Sequence, residues 1–323
     1  MRIIRILIIA LCMLLLLACG GSPAEPAVMT TAVPAMADAS AATEKSAEPA
    51  EDIVVVLTTA PEQLPDAPIR TPEAVETAEP TETAEPTPAF VGNARLDSGE
   101  FDSYFDDAVF IGDSLTSYFK NYVLAKRNTD VPGYLGKAQF MSISKMSAKI
   151  ASKNRVDKEE VNFLVRGRST SLTEGIKQTG AKKAFLLLGL NDLGFRDWDE
   201  TYGYFEKIVD LILENNPDVE LIMQGVLPVR DEFIKNNTIK AFLKKENFKM
   251  QDFNIRLAAL CAEKGITFLN FSAELEDENR ELAKKYCSDG RCHLSPEGED
   301  IWVRALRRLA AERMLGNVTF ETP

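Results

Sequence analysis

From Glu100 onward, short apolar runs alternate with stretches in which apolar residues recur every three or four positions. Ala108-Val109-Phe110-Ile111 is the continuous run of a buried strand, and Leu115, Tyr118, Phe119 and Tyr122 follow at helical spacing. Phe140 to Ile143 predicts a second strand, and Ala184 to Leu188 predicts a third, the clearest of all. Asp199 is expected to cap the next helix, whose apolar stripe holds Tyr202, Phe205, Ile208, Val209 and Ile212 before Asn216-Pro217 ends it. Val219 to Val226 predicts a fourth strand. A helix through Phe253, Leu257 and Leu260 then runs to Lys264-Gly265, and Ile266 to Leu269 predicts a fifth strand. A last helix opens at Ser295-Pro296-Glu297, with serine as cap and proline at the first helical position. Five strands alternating with helices predict an α/β fold, a three-layer α/β/α sandwich around a five-stranded parallel sheet. In such sheets, sites form outside the carboxyl ends of the strands.

Before residue 100 the pattern is different. Arg2 and Arg5 precede an apolar run from Ile6 to Leu17, which is too short for a helix across a hydrocarbon core of ~30 Å. The run ends in Leu16-Leu17-Ala18-Cys19, followed by Gly20-Gly21-Ser22. This resembles a bacterial lipobox, which implies a signal peptide over residues 1–18 and lipidation of Cys19. Acyl chains on that cysteine, at ~0.8 kcal/mol per buried methylene, would anchor the chain to a membrane. Residues 19–99 read as a disordered stalk. Eleven of the 16 prolines lie there among Ala, Thr and Glu, and Thr77-Ala78-Glu79-Pro80 recurs as Thr83-Ala84-Glu85-Pro86. Such a composition buries too little apolar surface to offset chain entropy. Its extended limit is roughly 250 Å at ~3.1 Å per residue. The exception is the apolar run Ile53 to Leu57, either a sticky spot or a strand that docks on the domain.

Charge separates the same two regions. The net charge is −12, and residues 20–99 hold 14 acids against Lys45, Arg70 and Arg95. The domain expected over residues 100–323 is nearly balanced, so nothing in it would attract nucleic acid. An anchored chain lies outside the cytoplasm, where disulfides are permitted. Of the three cysteines beyond Cys19, Cys287 and Cys292 could close a small loop, and Cys261 beside Leu257 and Leu260 reads as a buried thiol. One histidine and scattered thiols make no evident metal site, and no cofactor is expected.

Three motifs stand at predicted strand ends. Phe110-Ile111-Gly112-Asp113-Ser114-Leu115 runs from strand to helix and places Ser114 at a helix start, with its amide free to donate. Leu188-Gly189-Leu190-Asn191-Asp192 follows the third strand, where the Asn191 side chain could donate to an oxyanion. Ser288-Asp289-Gly290-Arg291-Cys292-His293 carries the chain's sole histidine beside a carboxylate. A serine nucleophile needs a base near neutral pKa and a carboxylate to fix its tautomer. If this chain uses histidine as that base, it can only be His293. Taken singly, each motif is also a common turn or cap.

In this order, on this strand pattern, the motifs resemble the SGNH/GDSL hydrolase family over about residues 101–315. The resemblance implies a flavodoxin-like fold and a serine esterase with Ser114 as nucleophile, His293 as base and Asp289 orienting it. It also implies an oxyanion hole from the Ser114 amide, the Asn191 side chain and a backbone amide after the second strand. Two features depart from the family. The second block, Ser142-Ile143-Ser144-Lys145-Met146-Ser147, lacks its glycine, so the third donor is assigned to Ser144, with Lys145 as the neighbouring choice. Three residues rather than two separate Asp289 from His293, a stretch that a bulged loop could absorb. With the anchor and stalk, the expectation is a monomeric cell-surface esterase that removes small O-acetyl-type groups from wall or exported glycans. The alternatives are an O-acyltransferase with the same chemistry, and a weakly active or non-catalytic module that binds glycan or a protein partner in the same cleft.

Overall fold

The computed structural model describes residues 88–129, 131–193, 197–231, 233 and 250–321. The lipobox with Cys19, the Ile53 to Leu57 run and almost all of the stalk lie outside the described residues.

The folded region starts before residue 100. Strand β1 (Ala89–Val91) pairs in parallel with the C-terminal strand β9 (Val318–Phe320), and helix α1 (Asn93–Asp97) follows. Val91 and Leu96 are buried in the core, which corrects the boundary placed at Gly99. The signal lost in a proline-rich context was one inward residue per element. Arg304 and Arg307 of helix α8 (Pro296–Leu315) clamp this entry segment through two-pronged ion pairs to Asp97 and Asp102.

The five predicted strands form the central sheet. They are β2 (Ala108–Gly112), β3 (Gln139–Ser142), β6 (Lys183–Leu187), β7 (Glu220–Gln224) and β8 (Thr267–Leu269), all parallel in the order β3-β2-β6-β7-β8. The three-layer α/β architecture is as expected, with helices flanking the sheet. The strands at its centre are apolar on both faces because both are covered: β2 is buried at every residue. Phe110 stacks on Phe185 and Phe140, and Phe119 of helix α2 (Ser114–Asn128) stacks on Trp302 of α8. Helix α6 (Trp198–Asn215) packs with α7 (Met250–Lys264) and buries the predicted stripe of Phe205, Ile208, Val209 and Ile212.

Three local readings change. The cap of α6 is Asp197, which accepts from the amides of Asp199 and Glu200, so the expected cap Asp199 sits inside the first turn. Strand β7 ends at Gln224 rather than Val226. Asn254 of α7 takes both main-chain groups of Val226 (2.7 and 2.9 Å) and removes that residue from the ladder. A small antiparallel hairpin, β4 (Phe163–Val165) with β5 (Arg168–Thr170), was not predicted, since three-residue strands show no usable period.

Candidate active site

The carboxyl ends of β2, β3 and β6 and the loop before α8 meet at one place. The β2–α2 corner is made by Gly112. A Cβ there would lie 2.1 Å from Thr116 Oγ1 and 2.4 Å from the Leu187 carbonyl, so only glycine fits. Asp113 then caps α2 by accepting from the Leu115 amide at 2.9 Å. Ser114 becomes the first residue of the helix, where its own amide has no partner within the helix.

His293 reaches Ser114 from the far end of the chain. Nε2 lies 3.1 Å from Ser114 Oγ, and Nδ1 lies 2.6 Å from Asp289 Oδ2. The three residues expected to form a triad are therefore in one hydrogen-bonded line. The extra residue between Asp289 and His293 is absorbed by the carboxylate itself. Its Oδ1 accepts from the amides of Arg291 (2.8 Å), Cys292 (2.9 Å) and His293 (3.3 Å), which curls the loop and leaves Oδ2 for the imidazole. Burial acts to raise the Asp289 pKa, but the His293 bond and these amides outweigh it and hold it at about 2. No disulfide pins the loop. Cys287 and Cys292 are free thiols, and the Cys287 backbone is bridged to Leu294 across the loop.

The second block lacks a glycine and forms a turn. Ile143 donates to the Gly112 carbonyl, a turn closes from the Met146 amide to the Ile143 carbonyl, and Lys145 stands at φ +69°. This is the left-handed conformation that glycine adopts freely and a lysine adopts under strain. Neither the Ser144 nor the Lys145 amide meets an acceptor among the described residues, so both are open to a ligand. Asn191, expected to face an oxyanion, donates inward through Nδ2 to the Met146 carbonyl (2.9 Å) and to Asp113 Oδ2 (3.2 Å).

Three residues that the motifs did not single out complete the site. Asp113 is fully buried, and desolvation, together with the nearby Asp192 charge, pushes its pKa up to about 7 against the Leu115 hydrogen bond. Asp192 holds the amides of Ala148 (2.6 Å) and Lys149 (3.1 Å), tying the end of β6 to the segment after β3. Both lie within the quoted blocks, and their burial was the missing information. Tyr118, one turn along α2 from Ser114, stacks on the His293 ring at 4.2 Å and 16°, with 47 % of its surface exposed. Its four-residue offset from Ser114 was visible, but it was read only as part of the helix stripe. Asp289, Cys292 and His293 also bring one possible ligand atom each to within 4.8 Å of one another, a cluster that the scattered thiols did not suggest.

The sequence model of the GDSL-like Lipase/Acylhydrolase family matches residues 110–301. Comparison with curated proteins finds no match. Among solved structures, the chain is similar to a GDSL-like lipase from Bacteroides thetaiotaomicron, with 19% identity, a TM-score of 0.49, and coverage of 68% of this chain and 99% of that one. It is also similar to an acetylxylan esterase from Geobacillus stearothermophilus, with 17% identity, a TM-score of 0.42, and coverage of 63% and 93%.

Proposed function

We propose, from the premise that the chain belongs to the GDSL-like Lipase/Acylhydrolase family and is an ester hydrolase, that it works through an acyl enzyme on Ser114. The observation that carries this assignment is the line Ser114 Oγ–His293 Nε2–His293 Nδ1–Asp289, at 3.1 and 2.6 Å. Nδ1 is fixed as the donor to Asp289, which leaves the Nε2 lone pair toward the hydroxyl. His293 takes the Ser114 proton as Oγ attacks the ester carbonyl, and returns it to the leaving alcohol. Water then enters by the reverse sequence. The ion pair between Asp289 and the transient imidazolium lowers the barrier to both transfers.

The developing oxyanion is held by the Ser114 amide and by the open amides of the turn at Ser144, with Lys145 holding the strained backbone. Asn191 joins through the N–H now spent on its longer bond, the one to Asp113. Each such donor is worth ~10²–10³ in rate where measured in other enzymes.

The substrate reading rests on the sequence. A lipidated Cys19 and a stalk of residues 19–99 would hold the enzyme outside the membrane, within reach of wall or exported polysaccharide. On this reading the substrates are small O-acetyl-type esters on such glycans. The protein would act there as a monomer, without nucleic acid or cofactor. Transfer of the acyl group to a glycan hydroxyl would use the same intermediate with a different acceptor.

The test uses the full chain. Hydrolysis of p-nitrophenyl acetate and covalent labelling of Ser114 by a fluorophosphonate are expected, followed by acetate release from acetylated cell-wall glycan. Intact turnover in Ser114→Ala would end the assignment. Labelling with palmitate, and its loss in Cys19→Ala, tests the anchor.

A further inference from the structure

Two free thiols flank the loop that carries His293, and the reaction proposed above uses neither. Cys292 is buried with Sγ 3.9 Å from His293 Nδ1. Cys287 brings its Sγ to 3.6 Å from Asp289 Oδ1. Around one point, then, stand a thiol, an imidazole nitrogen and a carboxylate oxygen, all within 4.8 Å, with a second thiol at the edge. Tetrahedral zinc holds sulfur at about 2.3 Å and nitrogen or oxygen at about 2.0–2.2 Å, which spaces neighbouring ligand atoms by roughly 3.3–3.8 Å. The Nδ1–Oδ2 pair would open slightly and the Cys292 thiol would close slightly. Side-chain rotation in a surface loop supplies both motions.

We propose that Cys292, Asp289 and His293 form a site for a thiophilic divalent cation such as Zn²⁺, and that filling it switches the esterase off. The inhibitory half of this rests on the assignment of His293 as base; the binding half does not.

The donor set selects the ion class. Thiolate, imidazole and carboxylate suit zinc, whereas Mg²⁺ and Ca²⁺ favour oxygen alone. The charges also match. One thiolate and one carboxylate neutralise the dication, and the Arg291 guanidinium is turned to the Phe233 ring, 5.8 Å from its centroid.

Inhibition follows from the tautomer rather than from a large movement. In the resting loop the imidazole proton is on Nδ1, shared with Asp289 Oδ2, and Nε2 presents its lone pair to Ser114. A cation on Nδ1 takes the lone pair of that atom. The neutral ring must then carry its proton on Nε2, and Ser114 faces an N–H in place of a base. The balance is complete without oxidant or reductant. The imidazole proton moves from Nδ1 to Nε2, and the Cys292 thiol releases one proton to solvent as the metal–sulfur bond forms. Water or Cys287 takes the fourth position, and Cys287 would release a second proton. A thiol binds the cation only as thiolate, so affinity should rise about tenfold per pH unit for each thiol bound.

The experiment uses the reduced full-length protein, with each variant's rate normalised to its own rate in chelator. Micromolar Zn²⁺ should suppress p-nitrophenyl acetate hydrolysis, Mg²⁺ should not, and chelator should restore it. Co²⁺ in place of Zn²⁺ should give a thiolate-to-metal charge-transfer band, present in Ser114→Ala and lost in Cys292→Ala. Cys292→Ala should weaken inhibition at least tenfold, and Cys287→Ala should weaken it less. Zinc inhibition equal in Cys292→Ala and the parent would overturn the proposal, as would the absence of a cobalt–thiolate band in folded protein. The band is read without turnover. Its presence in an inactive protein would therefore sink the esterase assignment alone, and its absence in an active one would sink this inference alone.

Discussion

Ser114 and His293 are delivered to the same point by two opposite kinds of structure. The corner at Gly112–Ser114 is part of the core: β2 is buried throughout, Asp113 is wholly buried, and the neighbouring backbone leaves no room for a Cβ at Gly112. The Asp289–His293 loop lies largely at the surface. It is shaped by one carboxylate that accepts three amides and one imidazole. The proposed nucleophile is placed by packing, which is coupled to folding. The proposed base is placed chiefly by a local polar network. Damage to the corner should therefore appear as instability, and damage to the loop as lost chemistry in a stable protein.

Substitutions at five positions sharpen or break that contrast. The largest effect is expected from removing reacting groups. Ser114→Ala and His293→Ala should each lower kcat by about 10⁴ or more, with the melting temperature within about 2 °C of the parent. Asp289→Asn should come next, at about 10³–10⁴ in kcat, because an amide cannot hold Nδ1 as the donor. If either loop variant, at His293 or at Asp289, melts far below the parent, the loop is more deeply coupled to the fold than its network suggests. Gly112→Ala should do the reverse and destabilise by about 3 kcal/mol in urea unfolding, since the Leu187 carbonyl, 2.4 Å from the added Cβ, is backbone that cannot withdraw. A stable, active Gly112→Ala protein would show the corner to be adaptable. Tyr118→Leu should cost about fivefold in kcat with KM nearly unchanged, the loss of one ring–ring contact of about 1 kcal/mol, and Tyr118→Phe should restore it. As the only histidine, His293 gives a single Cε1–H resonance. It should move on Tyr118→Leu and stay in place on Tyr118→Phe.

A further effect concerns pH. The Asp113 carboxyl is raised by burial to about 7 in the folded chain, against about 3.9 when unfolded. Between those values the folded state holds a proton that the unfolded state has lost. The contribution of this group to stability is therefore complete below about pH 4 and is lost as pH rises through 7. Asp113→Asn cannot ionise and should flatten that decline, read from urea midpoints between pH 4 and 7. Asp289 behaves oppositely: with its pKa held at about 2, its contribution fades only as pH falls toward that value.

Much of this was legible in the order of residues. Every strand of the central sheet was marked by an apolar run, because a strand covered on both faces has no polar side to obscure it. Ser114, Asp289 and His293 were marked by residue type and by position at predicted strand and helix ends. The cap at Asp197 was missed in favour of Asp199 because two acids two residues apart offer equal chemistry, and only the chain direction chooses between them. Val91 and Leu96 were missed because a single buried residue in a short element has no period.

The sequence by itself determined the fold class and marked the residues proposed to react, because sheet burial and catalytic chemistry each demand particular residue types. Tertiary structure alone decided three things: that Lys145 occupies a glycine conformation, that Tyr118 lies on the His293 ring, and that Cys292 stands beside Nδ1 rather than bonding to Cys287. These are relations between backbone angles and side-chain directions in different elements. Residue type constrains them only weakly, and packing fixes them.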